Sequence, residues 1–575
     1  MKFLFTLIFS FVFSCLFAQQ KQYPQYDFCS PLDIPLSLAG NFGELRPNHF
    51  HAGVDFRTQA KEGFSIYAIA DGYVSRIKIT TGGYGKSIYI THPNGYVSVY
   101  AHLKSLNSKI SEFLKKAQYD RKTYEIDVFP SPNQLPVKQK DIIGLSGNTG
   151  TSSGPHLHFE IRDAVTEFAV NPLLFNFKVA DNVAPEIYNV QLYPLDEKSF
   201  VNGKNEKATF TAVKSGGSYI LKEPNITVSG SIGFAISAND FLTNSDNSCG
   251  IYSLELTHDG TLVYQFEFDE ISFFESRYVN AHMDYYQNRF KRKTVHKAFR
   301  EPNNHLHIYN TSVNDGNIYF DDDNNHQMSF ELKDSYKNTA TINFQVKSTP
   351  TSNNPKIKKS RSENYKVTMP CNIDNLYKDD EISVWFPVNT LYDTLDFEFH
   401  KSEKIANSIS PVFHIHNKYI PVHNYFTISI KSADIPEKYK SKALVATFDS
   451  KGRVDVVGGN FLNDYVVADI NEFGAYFVVI DTLAPKIIPA NFENNSNLEK
   501  QENIQVKISD DISGIKNYEG YIDGCWVLFE YEPKRNMLIY HFDEKRLKKG
   551  QNHTLKIKVE DWKDNITIFD AKFYW

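Results

Sequence analysis

The chain has 575 residues, too many for a single core, and its 41% hydrophobic and 23% charged content is that of a folded protein rather than a disordered one. The net charge of -6 lacks the basic footprint of a nucleic-acid binder, which excludes that class of partner. The 14% aromatic share, mostly Tyr and Phe, favours strands, so a mainly β protein is expected.

Residues 1–18 hold one early lysine, an apolar run and then Ala18 before a polar stretch. They read as a secretory signal peptide cut after Ala18, leaving a protein that works outside the cytoplasm. Lipidation of Cys15 fits its neighbours Phe13, Leu16 and Phe17 badly, and the run is short for a spanning anchor. No later segment approaches spanning length. The remaining cysteines, Cys29, Cys249, Cys371 and Cys525, are isolated and form neither a dense disulfide framework nor a Cys-x-x-Cys metal signature.

Residues 24–178 alternate short apolar runs with glycine turns, as in "GFSIYAIADGYVSRIKIT", and predict an antiparallel β domain. Residues 108–136 depart from this pattern with helical periodicity and then a proline-rich turn, and read as an insertion that walls or covers a groove. "DNVAPEI" from Asp181 and "DTLAPKI" from Asp481 open a repeat whose sequels also match, "KDSYKNTATINF" with "EDWKDNITIFD". Two β-sandwiches are expected, at 181–348 with an extended insertion and at 481–575, resembling bacterial immunoglobulin-like modules. A polar linker at 349–364 leads to a further β domain at 365–480. The fold class is therefore all-β. The Asp/Asn-rich turns "NDFLTNSDNS" and "SDDISG" have the bunched oxygens that suit calcium, although turn chemistry alone accounts for them.

Besides His49/His51 in "NHFH", three His-x-His pairs occur, at His156/His158, His305/His307 and His414/His416. In a strand, residues i and i+2 share a face, so each pair can offer two imidazoles to one ion. The first has company, because "NHFHAGVDF" places His51 and Asp55 four apart in the same domain. Two imidazoles and a carboxylate suit zinc, and three protein ligands leave a fourth position for water. The other two pairs lack such a partner segment and read as structural histidines. His49 reads as a rim residue and His92 as a turn residue, while Asn41 and Arg46 read equally well as cleft lining or as an exposed turn.

"NFGELRPNHFHAGVDF", "YAIADGYV", "GYGKSIYITHPNGYVSVYAHL" and "GLSGNTGTSSGPHLHFEI", in that order, resemble the successive motifs of the lysostaphin-type, or LytM-type, zinc metallopeptidases. The resemblance spans residues 40–175. It implies zinc bound by His51, Asp55 and His158, and His102 and His156 as two unligated catalytic histidines. One would accept the proton of a zinc-activated water and pass it to the leaving amine, and the other would hydrogen-bond the oxyanion. Gly144, Gly147, Gly150 and Gly154 are expected to permit tight turns of positive φ before the last strand.

The implied function is hydrolysis of peptide bonds in peptidoglycan stem peptides or cross-links, in the periplasm or cell envelope. The β modules would position the enzyme at the wall or on an envelope protein. The alternatives are a non-hydrolytic wall-binding or hydrolase-activating member of the same fold, and a structural or adhesive envelope protein. The presence of His51, Asp55, His102, His156 and His158 together favours the enzyme.

Overall fold

The computed structural model describes residues 23–25, 27–355 and 361–575. The signal peptide read at 1–18, with Cys15 and Ala18, lies outside them. The chain is built mostly of strands, and the four later cysteines are free thiols. Among the described residues no helix is long and apolar enough to cross a membrane.

The first domain is organised around strands β1 (Leu38–Gly40), β2 (Val54–Arg57), β3 (Gly72–Ile79), β4 (Lys86–Thr91) and β5 (Tyr96–Ala101), helix α1 (Ser108–Arg121), and strands β6 (Ile126–Val128) and β7 (His156–Asp163). The strands form one antiparallel sheet in the order β1-β2-β7-β5-β4-β3-β6. Alternation in β7 sends Leu157, Phe159 and Ile161 into the apolar core, where Phe159 meets Phe56 and Tyr100. The same alternation puts His156, His158, Glu160 and Arg162 on the opposite face. The register sets His158 directly across from Asp55 on β2 and Ala101 on β5.

Residues 108–136 are woven into this sheet. Asn107 caps α1 by accepting a hydrogen bond from the Ile110 N–H at 2.9 Å, and Lys122 ends it in the left-handed conformation. Ile110, Leu114 and Gln118, four apart, form its buried stripe. β6 then pairs with β3, its Ile126 and Val128 turned inward. The outer face of α1 carries the C-terminal domain. Tyr119 meets Trp526 edge-on at 5.2 Å and has the Arg546 guanidinium 3.5 Å above its ring, while Lys115 pairs with Asp543 at 2.6 Å.

The first domain does not close its own core. A single apolar cluster runs from it into residues 181–348, with Phe50 packed on Phe268 at a ring distance of 5.4 Å. Gly43 makes this approach possible: its φ is +78°, and a Cβ there would lie 2.6 Å from the Phe268 ring. The sheet itself continues across the boundary, since Ala169–Val170 pairs with Glu270–Ile271. In contrast, residues 365–480 form sheets of six and five strands around a separate core, and residues 481–575 form sheets of four and five around another.

A chain ending at Lys178 is therefore expected to be less stable than the full chain by on the order of 5 kcal/mol, because Phe50 and the Ala169–Val170 edge lose their cover. Denaturant unfolding of the two chains, followed by near-UV circular dichroism, checks this. Equal midpoints would contradict the shared core.

Candidate metal centre and active site

The five residues singled out in sequence converge in the structure. His51 Nε2, Asp55 Oδ1 and His158 Nδ1 form a triangle with sides of 3.1 Å (His51–Asp55), 3.0 Å (His51–His158) and 2.9 Å (His158–Asp55). A tetrahedral divalent ion with bonds of about 2.0–2.1 Å spaces its donors about 3.3–3.4 Å apart, so the triangle is close to one face of such a site. All three side chains are buried.

Each imidazole has one nitrogen committed to an acceptor. His51 Nδ1–H donates to the Asn41 carbonyl at 2.7 Å, which leaves Nε2 as the donor atom for a metal. His158 Nε2–H donates to Glu160 Oε1 at 2.8 Å, which frees Nδ1. A carboxylate behind a metal-binding histidine fixes its tautomer and raises its basicity. Asp55 is oriented by Arg46, whose Nη2 lies 2.6 Å from Oδ2 and leaves Oδ1 in the triangle. Arg46 also pairs with Glu44 at 3.0 Å.

His102 and His156 lie beside the triangle. His156 Nε2 is 3.5 Å from Asp55 Oδ1, and its Nδ1–H donates to the Gly154 carbonyl at 2.8 Å. The His102 ring sits edge-on to His156 at 4.8 Å and 5.9 Å from His158, with Nδ1–H donating to the Thr149 carbonyl at 2.8 Å. His102 holds φ at +59°, a conformation that a non-glycine residue adopts at a cost. Gly150, next to Thr149, takes φ +72°, which a glycine adopts freely.

Of the four glycines expected to take positive φ, Gly150 alone does so. Gly147 is needed for a different reason, because a Cβ there would lie 2.3 Å from the Lys104 nitrogen. His49 is exposed and bonds to the Pro47 carbonyl, outside the triangle. His92 is buried between the Asp71 carbonyl and the Ser98 hydroxyl, away from the triangle. His305 and His307 lie outside any strand, with His307 bonded to Glu275, and His414 stacks on His400 at 4.1 Å. Neither pair belongs to a metal-type cluster among the described residues.

Sequence reasoning passed over Glu160, Arg162 and Tyr84, and treated Asn41 and Arg46 as possible turn residues. Glu160 is fully buried and accepts from the Tyr84 hydroxyl, His158 and Arg162, the last at 2.6 Å. The signal was available in "HLHFEIR", whose alternation puts Glu160 and Arg162 on the His158 face. Three carboxylates, Glu44, Asp55 and Glu160, face two guanidiniums, Arg46 and Arg162, so one positive charge is still needed. Burial opposes a charge on His158, but hydrogen bonds to Asp55 and Glu160 outweigh it and push its pKa up to about 9. Burial brings His51 down to about 4, with Asp55 partly opposing. Asp55 stays well below the usual carboxylate range despite its burial, held there by His51, His156 and His158.

A metal ion must displace the proton on His158. At pH 7.5 metal uptake is therefore expected to release about one proton per ion, a release that fades as the pH rises through about 9. Calorimetry in buffers of different ionisation enthalpy measures it. Glu160→Gln is expected to weaken metal binding about 10–100-fold. Proton release that stays constant to pH 10 would refute the assignment.

Residues 49–119 match Peptidase family M23, and residues 366–481 match the Zu5-like domain. An uncharacterized metalloprotease of Haemophilus influenzae is 34% identical over 131 residues, 23% of this chain and 21% of that protein. The peptidoglycan DD-endopeptidase ShyA of Vibrio cholerae is 31% identical over 172 residues, 28% of this chain and 32% of that protein. The catalytic domain of lysostaphin from Staphylococcus simulans is 26% identical, covering 24% of this chain and 88% of that one, with a TM-score of 0.18. The chain thus spans about a fifth to a third of the length of these two curated relatives. The N-terminal domain therefore carries the match to Peptidase family M23, and the β domains that follow it include the one that matches the Zu5-like model.

Proposed function

We propose that this protein is a zinc-dependent endopeptidase that hydrolyses peptide bonds in the stem peptides or cross-links of peptidoglycan, in the periplasm or cell envelope after export. The observation that carries the reading is the convergence of His51, Asp55 and His158 on one buried point, with His102 and His156 beside it. Two imidazoles and one carboxylate are a donor set that suits zinc and leaves a coordination position free. The peptidoglycan endopeptidase activity named for the Vibrio cholerae relative supports the substrate class.

When bound, zinc supplies a Lewis acid able to bring the pKa of water toward about 7. The remaining work falls to the protein. With Nδ1–H given to the Gly154 and Thr149 carbonyls, His156 and His102 each present Nε2 as an acceptor. That form takes a proton from attacking water, and it cannot donate to an oxyanion until it has done so. Burial and the neighbouring His158 and His156 push His102 down to about 3, so it resists becoming a cation and is suited to orienting water. His156 is then the carrier that accepts the proton at Nε2 and passes it to the leaving amine. The tandem β domains position the enzyme at the wall or on an envelope protein, a role that their place after the peptidase domain supports.

His158→Ala is expected to lose both zinc and turnover of purified muropeptides. His156→Ala and His102→Ala should keep zinc and lose about 10²–10⁴-fold in kcat. Metal analysis alongside product chromatography distinguishes the cases, and wild-type turnover in the His156 variant would defeat the proposal.

A further inference from the structure

The second domain brings together three aspartates that are far apart in sequence. Asp181 lies at its start, Asp240 near the end of the strand Thr227–Phe241, and Asp334 just after the strand Asn325–Lys333. One oxygen from each falls within 4.8 Å of the others. Asp240 is only 2% exposed, and its Oδ1 has no hydrogen-bond partner. Asp181 Oδ2 is also buried and unpartnered. A carboxylate removed from water needs a cation or donors to compensate. The charges acting on Asp240 are those of Asp334 and Asp181, both of its own sign. Burial and that repulsion push Asp240 up to about 8 and Asp181 up to about 6, so the metal-free cluster is electrostatically unfavourable.

The C-terminal repeat provides an internal comparison. Asp481, Asp510 and Asp561 occupy the corresponding places. There Lys563, 5% exposed, lies two residues after Asp561; its ammonium donates to the Gly459 carbonyl at 2.7 Å and is acted on by the charges of Asp564, Asp481 and Asp561. The second domain has Tyr336 at the matching position after Asp334. It keeps the anionic cluster and lacks the internal ammonium.

We propose that Asp181, Asp240 and Asp334 form a calcium site at the junction between the peptidase domain and the second domain. The donors are all oxygens, with no histidine or cysteine, which selects a hard cation over zinc. Three protein carboxylates gathered at one buried point suit calcium better than magnesium, which keeps several waters and binds through one or two carboxylates. The site lies where an ion would affect the neighbouring domain. Asp240 pairs with Cys249, and the adjacent Gly250 is clamped by the Asn41 side chain through bonds of 2.6 and 2.8 Å. Tyr336, two residues after Asp334, reaches the Phe177 carbonyl. The site does not depend on the reading of the peptidase centre.

The test uses the full chain, stripped of divalent ions, reloaded with zinc and titrated with CaCl2 by calorimetry and thermal unfolding. One calcium per chain and a rise in Tm of about 5 °C are expected, with a smaller rise in MgCl2. At pH 7 Asp240→Asn should raise the Tm of the calcium-free protein, because the buried carboxyl no longer has to take up a proton on folding, and should abolish the calcium-dependent rise. Asp181→Asn should also lose calcium binding, whereas Asp510→Asn should retain it. No binding up to about 10 mM CaCl2, above the range of the weakest calcium modules, would overturn the proposal. So would a calcium response that survives Asp240→Asn, or a calcium-free Asp240→Asn protein less stable than wild type, which would make the carboxylate a structural acceptor.

Discussion

The antiparallel register that sets Asp55 against His158 is the constraint on which the candidate centre depends. It places a carboxylate and an imidazole on the same face of adjacent strands in the middle of a sheet, where both are shielded from water. A one-residue slip would turn His158 into the apolar core and Phe159 out of it. The apolar side chains Leu157, Phe159 and Ile161 therefore hold the chemistry in place, because their burial fixes the register that the polar face uses. The arrangement has an electrostatic cost. Asp55 and Glu160 are stable as buried anions only because Arg46 and Arg162 face them and a proton or metal completes the balance.

The second domain contributes to that balance. The Asn41 carbonyl that orients His51 belongs to a residue whose side chain is clamped on Gly250. Phe50, next to His51, packs on Phe268 and donates its N–H to the Ser276 hydroxyl at 3.0 Å. The Arg162 guanidinium lies 4.2 Å from the Phe273 ring centre. Both sides of the triangle are thus backed by the second domain, so its packing and the geometry of the His51, Asp55 and His158 side chains are coupled. At the other end of the sheet, the C-terminal domain holds α1 and also pairs Glu530 with Lys86 on β4 at 2.7 Å. The peptidase domain is gripped from two sides by modules distant in sequence.

Much of this was legible in the sequence because it depends on local period and spacing. The strand alternation, the glycine turns, the Asp-x-x-Ala-Pro repeat and the His51/Asp55 spacing all leave patterns within a few residues of one another. What was not legible depends on long-range contact. Asn41 and Arg46 read equally well as cleft lining or as a turn, because nothing near them shows that Gly250 and Asp55 would meet them. Glu160 was overlooked although its alternation was visible, since period 2 places it on a face without revealing that the face is buried. Residues 108–136 read as an insertion because their helical period breaks the strand pattern. Their pairing with β3 and their contacts with Trp526 and Asp543 became visible only once the chain had folded back on itself.

The hydrogen bonds of the four site imidazoles separate their roles without any difference in residue type. His51, His102 and His156 each donate to a neutral backbone carbonyl, whereas His158 donates to a carboxylate. A carbonyl fixes the tautomer and little else, but an anion also increases the electron density at the opposite nitrogen. His158 is therefore the strongest donor of the four toward a metal and the one that holds a proton most firmly in its absence. His102 is kept neutral by its burial and presents Nε2, and His156 gives its Nδ1–H to a carbonyl in the same way. The chain thus differentiates four imidazoles by what stands behind each ring, and Glu160, buried and paired with Arg162, is the residue that makes the largest difference.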